Sequence, residues 1–139
     1  MTTLLDTNVL SELTRAEPSA SVLSFVMSIE SAWVSTITVH ELSYGLLLMP
    51  NGRRRAALEE AVRRMLAAYG SRVLPVGVAE AEQAAYLRAS AQAAGRTMHL
   101  ADALIGATAL THDLELATRN VSDFEGGPIR LVDPWNAAV

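Results

Sequence analysis

Short apolar runs alternate along the chain with longer segments of helical periodicity. The apolar runs predict five strands, at Thr2–Asp6, Ala32–Ser35, Arg72–Val76, Leu116–Thr118 and Ile129–Val132. Five segments with helical patterns are Ser21–Ile29, Thr38–Met49, Gly52–Tyr69, Ala79–Ala94 and about Leu100–Leu110. Strands that alternate with helices indicate an α/β fold, in which a mainly parallel sheet of about five strands is covered by helices on both faces.

The clearest helix is Gly52–Tyr69, whose apolar residues recur at i, i+3 and i+4. Glu59 and Glu60 stand four residues before Arg63 and Arg64, the favourable orientation for ion pairs on a helix. The arginines of this region could form a basic ridge for phosphates or for an acidic partner surface, and the alternative is a solvated helix face balanced by the glutamates.

The composition fits a single domain spanning residues 1–139, since half of the residues are hydrophobic. No apolar run approaches the roughly 18 residues of a membrane span. The first residues reach an acid at once and do not resemble a signal peptide. The chain has no cysteine, which excludes disulfides, thiolate metal sites and a cysteine nucleophile. These features lead us to expect a cytoplasmic protein without a membrane partner.

The charge pattern narrows the chemistry further. A net charge of -4 argues weakly against binding nucleic acid by bulk electrostatics, so any nucleic acid would have to be held by a local patch and by bound cations. All basic side chains other than histidine are arginines. The absence of lysine excludes Schiff-base chemistry and P-loops.

Most acidic residues have ordinary helical surroundings, among them Glu59, Glu60, Glu80 and Glu82, which we expect on polar helix faces. Two others stand apart. Asp6 ends the apolar run Leu4-Leu5 and should project from the carboxyl edge of the sheet, although it could equally cap a following helix. Glu41 is the only acid between Trp33 and Pro50, and its structural alternative is a capping box with Thr38.

Two further acids complete the candidate set. Asp102 lies in a helix that is apolar nearly all round, where an unpaired buried carboxylate is costly. A favourable helix dipole, worth only about 0.3–1 kcal/mol, does not obviously offset that cost. Asp123 follows Leu-Ala-Thr-Arg-Asn-Val-Ser and has the alternative of an ordinary turn aspartate.

Taken together, three of these four acids can lie at carboxyl ends of strands or at the starts of the helices that follow. Those places adjoin in a parallel sheet. Clustered carboxylates repel each other unless a cation offsets them, and ligation by oxygen alone favours Mg²⁺ or Mn²⁺ over zinc. Such ions can activate water and stabilise the departing oxygen of a phosphodiester.

Four segments, in this order, resemble the PIN domain and in particular the VapC-type toxins of bacterial toxin–antitoxin modules. The segments are Leu-Leu-Asp6-Thr-Asn8-Val-Leu, Thr-Val-His-Glu41-Leu-Ser-Tyr-Gly, Ala-Asp102-Ala-Leu-Ile-Gly-Ala-Thr-Ala and Ala-Thr118-Arg-Asn120-Val-Ser-Asp123-Phe. The resemblance implies a three-layer α/β/α fold and an endoribonuclease that depends on Mg²⁺ or Mn²⁺.

The resemblance also implies roles for individual residues. Asp6, Asp102 and Asp123 would bind metal, directly or through water, and Glu41 would help to position the metal or the attacking water. The supporting polar groups would be Thr7, Asn8, Thr118 and Asn120. Many relatives have a second aspartate where this chain has Asn120, so Asp123 is the only acid left in this segment. Whether Asn120 or Asp123 dominates the fourth position stays open.

The partners implied by the resemblance are an RNA substrate, a second copy of the chain in a homodimer and a small VapB-like antitoxin that covers the acidic site. RNA cleavage would then inhibit translation.

Three rival interpretations use the same residues. His40-Glu41 begins a zinc motif, but the second histidine position is Tyr44, which excludes that motif. A haloacid-dehalogenase-like phosphatase would use Asp6 as a nucleophile, yet it needs a second aspartate where this chain has Asn8. A catalytically inactive PIN-fold binding module is the third alternative, and the retained acids argue against it.

Overall fold

The computed structural model describes residues 2–136. Its strands are β1 Thr2–Leu5, β2 Ser31–Ser35, β3 Val73–Leu74, β4 Glu115–Ala117 and β5 Leu131–Val132. Its α-helices are α1 Thr7–Leu13, α2 Ala20–Ser28, α3 Thr36–Leu48, α4 Arg53–Tyr69, α5 Val78–Ala93 and α6 Leu100–Thr111. Short 3₁₀ helices occupy Gly70–Arg72 and Val121–Asp123.

The five strands form one sheet in the order β3-β2-β1-β4-β5, and every pairing is parallel. The predicted α/β class is therefore confirmed, as are all five predicted strands and all five predicted helices. The outer strands β3 and β5 are shorter than predicted. The sequence pattern did not predict α1 as an element and suggested it only through the capping alternative for Asp6.

Alternate residues of the central strand β1 point into two separate cores. Leu4 packs with residues of α5 and α6 on one face of the sheet, and Leu5 packs with residues of α1 to α4 on the other. Both leucines are fully buried. This alternation follows from the two-residue period of a strand and produces the expected three layers.

Two local predictions are wrong. Helix α3 begins at Thr36 and is capped by Ser35, whose hydroxyl accepts a hydrogen bond from the Ile37 N–H. Thr38 is then an interior helical residue, so it cannot form a capping box with Glu41. Glu80 is buried rather than on a polar helix face, because its carboxylate turns back to accept from the Gly77 N–H at the start of α5.

The outer surface of α4 carries ion pairs close to those predicted. Glu60 contacts both Arg63 and Arg64, while Glu59 pairs with the preceding Arg55 rather than with Arg63. Over the described range 2–136, none of the helices combines the length and the apolar character that crossing a membrane requires.

Candidate active site

A cleft of about 530 Å³ opens at the carboxyl edge of the sheet, beyond the ends of β1 and β4. Three of the four predicted acids, Asp6, Glu41 and Asp102, line it. They come from different elements: the residue after β1, the second turn of α3 and the first turn of α6. Parallel pairing aligns the strand ends, so residues far apart in sequence meet at one edge.

Asp6 lies at the centre of the polar contacts in the cleft and is only 4% exposed. One carboxylate oxygen, Oδ1, accepts a hydrogen bond from the Thr7 N–H at 2.7 Å, so Asp6 also caps α1. The other, Oδ2, accepts from the Thr118 hydroxyl at 2.7 Å and from the Asn8 amide at 3.4 Å. The capping and cleft interpretations of Asp6 are therefore compatible.

The polar neighbours of Asp6 form a network that joins β1 to the segment after β4. The Asn8 amide also approaches the Thr118 hydroxyl at 3.5 Å, and the Asn8 carbonyl oxygen accepts from the Arg119 N–H at 3.2 Å. The Asn120 N–H donates to the Thr118 hydroxyl at 3.0 Å. These contacts hold the ends of two neighbouring strands in a fixed relation to the Asp6 carboxylate.

Glu41 is held by a hydrogen bond from α1. The Thr7 hydroxyl donates to Glu41 Oε1 at 2.6 Å and lies 3.0 Å from the Thr38 hydroxyl. Glu41 thus contacts a residue 34 positions earlier in the chain. Glu41 also lines the cleft, and a carboxylate has two oxygens that can each accept a ligand.

Asp102 is half-buried in the first turn of α6. The pKa of its carboxyl is raised to about 6, mainly by burial and also by the charges of Asp6, Asp123 and Glu41, while His99 acts in the opposite direction. Burial likewise raises the pKa of Asp6, hydrogen bonds from Thr118 and Thr7 lower it, and the Glu41 and Asp123 charges raise it again. The four predicted acids therefore sense one another electrostatically.

Asp123 differs from the other three acids. It lies on the short 3₁₀ helix Val121–Asp123, is exposed and does not line the cleft. Its charge nevertheless raises the pKa values of both Asp6 and Asp102. Asn120, in contrast, lines the cleft directly. The structure thus places the amide nearer to the cleft and leaves the carboxylate at its periphery.

The donor groups of the cleft are carboxylate, hydroxyl and amide oxygens, which suit a hard divalent cation. Within residues 2–136, no three histidine, aspartate or glutamate side chains stand close enough together to hold a metal ion by themselves. An open, oxygen-rich cleft fits Mg²⁺, which retains several of its waters when it binds to proteins.

Five residues that also line the cleft were not predicted from the sequence: Ser11, Glu12, Arg15, Arg119 and Trp135. Glu12 is buried and accepts hydrogen bonds from the Ser19 N–H and from Arg15, which gives it a structural role at the start of α2. Glu12 follows Asn8 by four residues, a spacing that places both side chains on one face of a helix. The sequence pattern did not predict α1, so this signal was not used. The Arg119 guanidinium lies over the Trp135 ring at 4.8 Å. No local pattern predicts that contact.

Comparison with known proteins gives a consistent result. The sequence profile of the PIN domain matches residues 3–125. The VapC ribonuclease Y4jK of Sinorhizobium fredii is 40% identical over 97% of this chain and 99% of its own length. The crystal structure of FitAcB from Neisseria gonorrhoeae superposes with a TM-score of 0.89, at 35% identity over 97% of this chain and 99% of that chain.

A toxin–antitoxin complex from Klebsiella pneumoniae contains a chain that matches with a TM-score of 0.73 and 28% identity, over 97% of this chain and 99% of that chain. The resemblance expected from the four sequence segments is thereby confirmed: the chain belongs to the PIN domain family, among its VapC-type members.

Proposed function

We propose that this chain is the toxin of a toxin–antitoxin pair and acts in the cytoplasm as an endoribonuclease that depends on Mg²⁺ or Mn²⁺. One observation carries the proposal. Three carboxyls share an open cleft, a fourth lies within electrostatic reach, and no arginine in the described range forms an ion pair with any of them. Such a concentration of negative charge is costly unless a cation binds there.

Asp6, Asp102 and Glu41 are the residues that would hold the cation, and Asp123 or Asn120 would bind one of its waters. A bound divalent ion supplies Lewis-acid activation of water and neutralises charge on the phosphodiester. The chain contributes fixed positions: hydrogen bonds from Thr7 orient Asp6 and Glu41, and the Thr118 hydroxyl holds the second Asp6 oxygen. Preorganised ligands of this kind reduce the reorganisation that the reaction requires.

The geometry does not favour the phosphatase alternative. That alternative needs a second aspartate two residues after Asp6, and the structure has Asn8 there, whose amide donates to Asp6 Oδ2 at 3.4 Å. The inactive binding module remains a testable alternative, since it would bind a partner without cleaving RNA.

An apolar groove supports the proposed antitoxin partner. The groove measures about 1010 Å³, lies between α1, α3 and α4, and shares Thr7, Arg15 and Glu41 with the acidic cleft. A segment bound in it would reach the cleft. The matched structure that is named a toxin–antitoxin complex supports the same assignment.

We also propose a homodimer. Helix α3 exposes Tyr44, Leu47 and Leu48, each more than half accessible. Adjacent exposed apolar side chains of this kind are typical of protein interfaces. The molar mass measured by light scattering tests this assignment, and a monomer at every concentration would contradict it.

The central experiment measures cleavage of purified total RNA by the purified chain. We expect cleavage with Mg²⁺ or Mn²⁺, none in excess EDTA, and recovery when the metal is restored. Growth should stop when the chain is expressed alone and resume when its antitoxin is expressed with it. Metal-independent cleavage, or hydrolysis of p-nitrophenyl phosphate without RNA cleavage, would refute the proposal.

A further inference from the structure

The carboxyl edge of the sheet carries a cation that takes no part in the acidic network. The Arg119 side chain lies at the mouth of the cleft, in the position immediately after Thr118, which binds Asp6. Its backbone N–H is fixed by the Asn8 side chain. The position of the Arg119 backbone is therefore fixed relative to the acids, whatever rotamer the side chain adopts.

Arg15 and Arg119 are the two arginines that line the cleft, and within residues 2–136 only Arg119 of these two forms no ion pair. Over the described range, Arg15, Arg55, Arg63, Arg64 and Arg130 all form ion pairs with carboxylates. The Arg119 guanidinium has no carboxylate within 4 Å among residues 2–136, although it stands beside the most acidic region of the molecule.

Trp135 explains why this guanidinium stays apart. The Arg119 guanidinium carbon lies 4.8 Å from the centre of the Trp135 ring, within the range of a cation–π contact. Trp135 is itself half-buried against the core on the α1 to α4 face of the sheet, and its backbone N–H donates to the Asp133 carboxylate. The position of the indole is thus fixed. A guanidinium that stacks on it uses its flat face, so its N–H groups can still donate to another acceptor.

We propose that Arg119, stacked on Trp135, binds a phosphate of single-stranded RNA beside the bond that is cut. This inference rests on the proposed ribonuclease function and adds to it the residue that anchors the RNA backbone. An acidic cleft repels a polyanion, so the backbone needs a cation near the cleft that the carboxylates have not already paired. Arg119 meets that requirement, and its planar fork suits bidentate binding of phosphate. Trp135 acts through Arg119 and is a positioning residue.

The test compares Arg119→Gln with Arg130→Gln. Arg130 is also exposed, but it pairs with Asp113 near the amino-terminal ends of β4 and β5, at the opposite edge of the sheet. Each variant removes one positive charge. We measure KM and kcat for cleavage of a short fluorescein-labelled single-stranded RNA in Mg²⁺. We also measure its binding by anisotropy, with both variants in an Asp102→Asn background to prevent cleavage.

We expect Arg119→Gln to weaken RNA binding and raise KM by about five- to tenfold, with kcat nearly unchanged, while Arg130→Gln changes neither. The dependence of log affinity on log salt should fall by about 0.7, the value for one lost contact to a single strand. Arg119→Lys, which keeps the charge but not the planar fork, should give an intermediate affinity with an unchanged salt dependence.

A double-mutant cycle separates the role of Trp135 from a role in stability. Trp135→Leu should raise KM in the parent chain but have no further effect in the Arg119→Gln background, because the stacking partner is already absent. Equal effects in both backgrounds would overturn the positioning role.

Two outcomes separate this inference from the function on which it rests. If the parent chain cleaves RNA and Arg119→Gln matches it in KM and affinity, the RNA contact is wrong and the ribonuclease proposal stands. The same conclusion applies if Arg119→Gln weakens only the complex with the antitoxin, since the surface then serves the partner. If the parent chain cleaves no RNA under any metal condition, both proposals fail.

Discussion

Carboxylates on α4 and carboxylates in the cleft occupy opposite electrostatic surroundings. Glu60 is partly exposed to solvent and contacts both Arg63 and Arg64, whose hydrogen bonds lower its pKa. Asp102 faces burial and other acids, and its pKa is raised to about 6. The same chemical group is therefore favoured as an anion on one surface and disfavoured on the other.

The difference between the two surfaces shows where the fold accepts a loss of stability from electrostatic repulsion. Exposed ion pairs such as those of α4 contribute little to stability because solvent screens them. The cleft holds like charges together in a less solvated place, which destabilises the folded chain without a bound cation. Local choices that oppose stability are expected at functional sites, and the cleft is the place in this molecule where several coincide.

The largest contrast should come from Asp102→Asn, which keeps the shape of the side chain and removes its charge. We expect RNA cleavage to fall by more than about 100-fold, because a charged ligand of the proposed cation is lost. The free energy of unfolding at pH 7 should stay the same or rise, since repulsion with Asp6 and Glu41 is relieved. Cleavage assays and denaturant unfolding measure the two effects.

Asp113→Asn is the matched control for that substitution. Asp113 is exposed, pairs with Arg130 and has a φ of 53°, a conformation that asparagine adopts readily. This variant should retain full cleavage. If Asp102→Asn kept full activity, or if both variants lost it equally, the cleft would have no special role.

A smaller loss is expected from Glu41→Gln. The amide oxygen can still accept from the Thr7 hydroxyl, so the local structure should persist while the charge disappears. We expect cleavage to fall by about 10- to 100-fold with little change in Tm. Glu59→Gln on α4 serves as the control and should leave cleavage unchanged. A Glu41→Gln variant with normal cleavage but a lower Tm would show that Glu41 only supports α1.

Much of this contrast could be predicted from the sequence. The strand Thr2–Asp6 ends in an acid, and parallel pairing then fixes its place at the carboxyl edge. The apolar surroundings of Asp102 likewise indicated a carboxylate under desolvation, and its raised pKa agrees. Both inferences depend only on local pattern and on the geometry of parallel sheets.

Other features depend on contacts that local patterns do not encode. The hydrogen bond between Thr7 and Glu41 spans 34 positions. Ser35 rather than Thr38 caps α3, so the capping-box alternative for Glu41 was wrong. Asp123 has the expected sequence context, yet a 3₁₀ turn leaves it at the rim. Capping and loop conformation are decided by small energy differences that the surrounding fold can override.

The pH dependence of stability should distinguish the two surfaces next. The Asp102 pKa is raised from 3.8 to about 6, so the folded chain binds a proton more tightly than the unfolded chain. In metal-free buffer, stability should therefore increase as pH falls from 7 towards 5, by no more than about 1 kcal/mol because solvent screens the half-exposed group. Asp102→Asn should remove this increase. Mg²⁺ at pH 7 should raise Tm in the parent chain and have little effect in the variant. An identical pH profile in the two proteins would contradict the assignment.

The smallest effect should come from Glu60→Gln. The pH dependence of stability that Glu60 causes should have the opposite sign to that of Asp102. Arg63 and Arg64 lower the Glu60 pKa below 4.5, so the anion favours the folded chain above that pH and its contribution disappears as pH falls. At pH 7 the variant should lose no more than about a degree in Tm, and salt should abolish the difference because both partners are solvated. Cleavage should be unchanged. A loss of cleavage comparable to that of Asp102→Asn would mean that the α4 surface takes part in RNA binding. The acids paired with arginine on α4 could then no longer be assigned a purely structural role, in contrast to the unpaired acids of the cleft.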